Sequence, residues 1–199
     1  MLTQVLLNSI FQIVLFSLIP LIWWLITARK QQGFFVWIGL KRVTVYGGFL
    51  PTFLLTILAF LLLSIGVQSL IRGIETANSQ FQGLGFAGLP AAFVHSFLNT
   101  ALSEEILFRG FLLKRLASRF GFTAGNAIQA TLFGLMHGVF FIGIVGAFNA
   151  ILIIAFTGAI GWYMGYLNEK KAGGSILPSW ALHGFANLFS SFAALFSLL

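Results

Sequence analysis

Cysteine is absent from the 199 residues, and acid is almost absent: Glu75, Glu104, Glu105 and Glu169 are the only four acidic side chains. The first absence excludes disulfides, thiol nucleophiles and cysteine-ligated zinc. Charged residues of either sign make up only 8% of the chain, against about a quarter in soluble proteins. With 59% hydrophobic residues and a mean hydropathy of +0.99, several runs reach the roughly 20 apolar residues that cross a bilayer. Strands of about ten residues with alternating polarity, the mark of a membrane barrel, are not seen. The fold class expected is therefore all-α: a polytopic transmembrane helical bundle forming one integral membrane domain.

Six spans can be read, at about Val5–Ile26, Tyr46–Ile71, Leu89–Leu113, Ala124–Phe141, Ile144–Leu167 and Ile176–Leu198. Pro178 is acceptable in the first turn of the last one. The junction Gly138–Gly146 carries no charge and reads as a tight turn. The net charge of +7 is distributed as a topology signal, not as a nucleic-acid patch. Nine of the eleven Lys and Arg residues lie in the first, third and fifth connections, while the second holds only Arg72 and the fourth none. Since cytoplasmic loops carry the excess of Lys and Arg, both termini are expected on the extracytoplasmic side. The first span is too long for a cleaved signal peptide and lacks its basic start. Trp23, Trp24 and Trp37 read as interface anchors, and Gly134, Gly138, Gly158, Gly161 and Gly165 as close-approach positions between helices.

Against this apolar background the third span, LPAAFVHSFLNTALSEEILFRGFLL, holds two adjacent glutamates and an arginine. A charge at the bilayer centre costs about 2.5–3.5 kcal/mol on insertion scales, so such groups face a protein interior or a wet cavity and mark function. Glu105 and Arg109 are four apart and share a helix face. Glu104 is turned roughly 100° away, and one arginine does not neutralise two acids. Counted at 1.5 Å per residue from the basic connections, Glu104, His137, His183 and Asn187 fall at similar depths of about 10–20 Å. His95, about half a turn round from Glu104 and roughly 14 Å higher by the same count, is left out.

A carboxylate, two imidazoles and a carboxamide at one depth suit hydrolysis of an acyl bond. Glu104 near His137 takes a proton from water; His183 and Asn187, one turn apart, offer N–H groups to a tetrahedral oxyanion. The same atoms allow a second version, zinc held by Glu104, His137 and His183 with one position open. The metal-free version, with no cofactor required, is carried forward with Zn2+ as its alternative.

Three motifs bear a family resemblance. Glu104-Glu105-Ile-Leu-Phe-Arg109 resembles the E-E-x-x-x-R motif of the CAAX protease and bacteriocin-processing (CPBP) family of intramembrane proteases; Phe133-x-x-x-His137 resembles its F-x-x-x-H motif, and His183-x-x-x-Asn187 its H-x-x-x-N/D motif. Ile38-Gly39-Leu40-Lys41 looks like an element that precedes the second helix in this family. The resemblance implies a membrane-embedded peptidase with catalytic Glu104, His137, His183 and Asn187, supported by Glu105, Arg109 and Phe133. It implies a catalytic four-helix core at residues 89–199, preceded by two helices in residues 1–88. It also implies a membrane-associated protein or peptide as substrate, in a bacterial plasma membrane. The competing readings are a non-catalytic bacteriocin self-immunity or partner-binding protein and a proton-coupled transporter. Six spans without visible repeats count against the transporter.

Overall fold

A computed structural model describes residues 1–71 and 73–198; Arg72 lies outside the described residues. Six long helices dominate, and no strand occurs among the described residues. They are α1 (Leu2–Thr27), α2 (Phe49–Leu70), α3 (residues 89–120), α4 (Phe122–Gly138), α5 (Ile142–Tyr166) and α6 (Leu177–Leu195). Leu2–Thr27, Phe49–Leu70 and the continuous stretch Phe122–Lys171 are long and apolar enough to cross a membrane. The last is folded back on itself: Gly146 breaks the helical path at φ +81°, and α4 packs along α5. The chain is thus an integral membrane helical bundle, and the uncharged Gly138–Gly146 junction is its hairpin turn. The other two long helices, α3 and α6, carry the remaining polar residues of the candidate site beside His137 of α4.

The ends of the bundle differ in character. At one end the basic connections lock together. Ile176 donates its backbone N–H to the Gly39 carbonyl (2.9 Å) and Tyr46 to the Lys171 carbonyl (3.0 Å). Lys114 Nζ donates to Glu169 Oε1 (2.6 Å) and to the Gly174 carbonyl (2.8 Å). At the other end Val5, Phe81, Ala91, Ala92 and Leu195 share one apolar cluster, so the two termini lie on the same side. The segment after α2 is a Gly-, Gln- and Asn-containing connection that includes two short 3-10 turns. A Thr76 capping box starts a 3-10 turn at Ala77–Phe81, and Phe81 is wholly buried. Twenty-one large apolar residues of α1 and α2 point outward as a lipid-facing bundle requires, Phe11, Ile26, Leu55 and Leu62 among the most exposed.

Trp23 is half exposed, as an interfacial anchor would be, but Trp37 is buried with Ile38 and Phe111, and its ring carries the Arg115 guanidinium at 4.2 Å. It is a core residue of the basic end. Beside it, Gly39 adopts φ +85°, and Ile38 lies directly on Gly110 of α3, where an added Cβ would come 2.7 Å from the Ile38 carbonyl oxygen. The Ile38-Gly39-Leu40-Lys41 stretch is therefore a wedge between α3 and the turn before α6. Gly134 and Gly161 likewise bring α4 and α5 into backbone contact.

Gly110→Ala should destabilise the protein by about 1–3 kcal/mol, the usual cost of overpacking. Gly158→Ala, whose Cβ would sit 3.3 Å from the Ala130 carbonyl, should cost less than half as much. Thermal unfolding of the two purified variants in detergent measures both, and equal melting temperatures would contradict the wedge.

Candidate active site

The glutamate pair lies at a discontinuity in α3. Two π-helical stretches, His95–Leu102 and Ile106–Leu113, flank the α-helical turn Ser103–Glu105. Such bulges are rare and concentrate at functional sites because they re-aim side chains within a helix. They also invalidate bookkeeping at 3.6 residues per turn between His95 and Glu104. His95 lines a separate cavity beside α1.

Glu105 is fully buried and saturated with donors. Arg109 Nη1 donates to Oε1 at 2.9 Å, as the four-residue spacing implies. His183 Nδ1 lies 3.2 Å from the same oxygen, and the Ser179 hydroxyl makes a short hydrogen bond to Oε2. Ser179 also accepts from Asn168 Nδ2 at 2.6 Å. Arg109 is equally buried. Its Nε and Nη2 have no hydrogen-bond partner, and the Phe133 ring centroid lies 3.9 Å from its guanidinium carbon. A cation against an aromatic face contributes up to about 2 kcal/mol when desolvated. Phe133 therefore does more than pack: it covers the cation that holds Glu105.

Glu104 faces elsewhere. Its Oε2 is buried without a hydrogen-bond partner and lies 3.7 Å from both His137 Nε2 and His183 Nε2. That gap is too long for a direct hydrogen bond and suits a bridging water. The partners behind each ring fix its orientation. The Phe133 carbonyl, 2.8 Å from His137 Nδ1, can only accept, so Nδ1 carries the proton. Glu105 plays the same part for His183. Both rings therefore present Nε2 to Glu104. Asn187, one turn beyond His183, donates to Thr100 Oγ1 at 2.7 Å, which leaves its second amide hydrogen free.

His137, His183 and Asn187 line one cavity of about 670 Å³, with Phe133 at its inner end. It runs between α2, α5 and α6 toward Asn78 and Gln82, at the end that holds the termini and away from the basic connections. The structure thus brings Glu104, His137 and His183 together and sets Asn187 beside them. Phe133, Glu105 and Arg109 form the layer beneath.

A carboxylate and two imidazoles are the donor types of a catalytic zinc site, and each ring has the acceptor behind it that metal-bound histidines usually have. As the side chains stand, no three His, Cys, Asp or Glu residues among those described are gathered to hold an ion. The arrangement does not fit a bound metal without movement.

Sequence reading missed Ser179, Asn168 and Thr100. Ser179 had a signal: with His183 and Asn187 it stands at four-residue intervals on one face of α6. Asn168 and Thr100 had none, because their partners are set by tertiary contact alone.

Arg109→Met should remove about 3–5 kcal/mol of stability, the usual effect of leaving a buried charge unpaired. Arg109→Lys should recover little, because a compact ammonium does not lie on the Phe133 face as a planar guanidinium does. Urea or thermal unfolding compares the two; a fully stable Arg109→Met would show that the pair is dispensable.

A family model described as type II CAAX prenyl endopeptidase, Rce1-like, matches residues 86–189. No curated protein and no solved structure matches. The matched region runs from the turn before α3 through Asn187 and takes in the three motifs and the geometry just described. With just over half of its length matched, the chain belongs to the Rce1-like type II CAAX prenyl endopeptidase family of membrane proteases.

Proposed function

We propose that the protein is an intramembrane endopeptidase that cleaves a peptide bond of a membrane-associated protein or peptide with water activated by Glu104 and His137. The observation that carries the reading is the position of Glu104 Oε2, equidistant at 3.7 Å from two imidazole nitrogens and in no hydrogen bond of its own. A water placed among these three atoms donates one hydrogen to Glu104 and one to His137 Nε2. Glu104 removes a proton as the water oxygen attacks the carbonyl carbon. The oxygen of the tetrahedral intermediate then lies against His183 Nε2–H and the free amide hydrogen of Asn187. His183 donates there in its doubly protonated form, with Glu105 balancing the charge at Nδ1. Glu104 returns its proton to the departing amine, leaving a new carboxylate and a new amino terminus.

In this reading residues 89–199 are the catalytic core, and α2 closes the cavity from residues 1–88. The reacting groups lie nearer the basic end, since His183 is only six residues into α6. The substrate enters from the opposite end, where Gln68 and Asn78 line the cavity. With the basic connections in the cytoplasm of a bacterial plasma membrane, that end, with both termini, is extracytoplasmic. No cofactor is required by these steps.

Glu104→Gln keeps the shape and removes the base, so cleavage of a panel of membrane-tethered peptides should fall by about 10²–10⁴, with the unfolding transition unchanged. Wild-type turnover in this variant would remove Glu104 from the mechanism. A Glu104→Ala protein that still confers the cellular phenotype would favour the self-immunity or partner-binding reading. Elemental analysis of chelator-treated protein tests the zinc alternative: full turnover with far less than one zinc per chain is expected, and activity that disappears and returns with zinc would assign it to Glu104, His137 and His183.

A further inference from the structure

A second polar site lies apart from the catalytic cavity. Between α1, the start of α3 and the Ala77–Phe81 turn is a cavity of about 240 Å³, lined by Val5, Asn8, Phe11, Gln12, Gln80, His95 and Asn99. His95 and Asn99 form its floor, with only 8% and 6% of their surface exposed. Neither side chain has a hydrogen-bond partner among the described residues, although Phe81 holds the His95 ring edge-on at 5.5 Å. Their polar atoms are not sealed from solvent but open onto the cavity, where water or a ligand supplies the hydrogen bonds that the protein does not. Gln4, Asn8 and Gln12 repeat at four-residue intervals on α1, and Gln4 Nε2 donates to Asn8 Oδ1 at 2.9 Å. The Asn8 amide hydrogens therefore remain available to the cavity.

The lining specifies the ligand. It offers four carboxamides and one imidazole, with no Lys, Arg, Asp or Glu. Such a set both donates and accepts, which suits hydroxyl groups, and supplies no cation for a phosphate. At about 30 Å³ per water, the volume holds a glycerol or a single sugar ring and falls below the roughly 300 Å³ at which larger ligand clefts begin. The outer wall is Phe11, flanked on the same helix by exposed Leu7 and Val14. A molecule with its head in the notch has an apolar path for its tail down α1. We propose that this notch binds the uncharged, hydroxyl-bearing head group of a membrane glycolipid, independently of the peptidase site.

Native mass spectrometry of the full chain, released from detergent with monoglucosyl diacylglycerol, phosphatidylglycerol or free glucose, tests this directly. The glycolipid should be retained at roughly tenfold lower concentration than phosphatidylglycerol, and free glucose should not be retained. Asn99→Leu should weaken glycolipid retention at least tenfold. Asn8→Leu, on the exposed wall where folding is not at stake, should weaken it several-fold while leaving peptide cleavage unchanged. Equal retention of phosphatidylglycerol, retention of glucose without a lipid tail, or unchanged binding by Asn8→Leu would overturn the proposal. So would a dimer that forms through Asn8 in place of lipid binding.

Discussion

The site depends on one buried ion pair. Taking a carboxylate and a guanidinium out of water is costly, and their attraction offsets that cost only when the remaining donors and acceptors are met. Glu105 meets this condition with Arg109, His183 and Ser179; Arg109 meets it in part through the Phe133 ring. The pair ties α3 to α6 through His183 and Ser179 and to α4 through Phe133. The three helices that carry Glu104, His137, His183 and Asn187 are thereby fixed to one another through a single carboxylate.

From that constraint the division of labour between the two glutamates follows. Glu105 has every oxygen engaged and is held as an orienting anion behind His183. Glu104, the next residue, is turned out of that layer and keeps an oxygen without a partner, facing two ring nitrogens. The π-helical turns on both sides let adjacent residues serve two different layers while α3 stays continuous. A single arginine is enough because it neutralises only the inner glutamate.

Much of this was legible in the sequence, for a physical reason. In an apolar chain every charged residue is conspicuous, and four-residue spacing on a helix means a shared face. Glu105 with Arg109, Phe133 with His137, and His183 with Asn187 each follow that spacing, and each pair does meet or align in the fold. The six-helix count followed from the apolar runs, and the common side of the termini from the alternation of basic connections. The π-helical turns were not legible, because nothing in SFLNTAL or ILFRGFL distinguishes a π turn from an α turn. Nor was the burial of Trp37, which depends on Arg115 and Phe111 arriving from α3. The cavity direction was hidden as well, since it is set by how α2 lies against α5 and α6, and no motif records that.

The proposed mechanism rests on water, and not a side chain, attacking the peptide. The most direct measurement is a single turnover in heavy-oxygen water, followed by mass analysis of both product and enzyme. The account predicts one heavy oxygen in the new carboxyl terminus of the cleaved peptide and none in the protein. Heavy oxygen recovered in the Glu104 carboxylate would mean that Glu104 itself had bonded to the substrate, and would contradict the account.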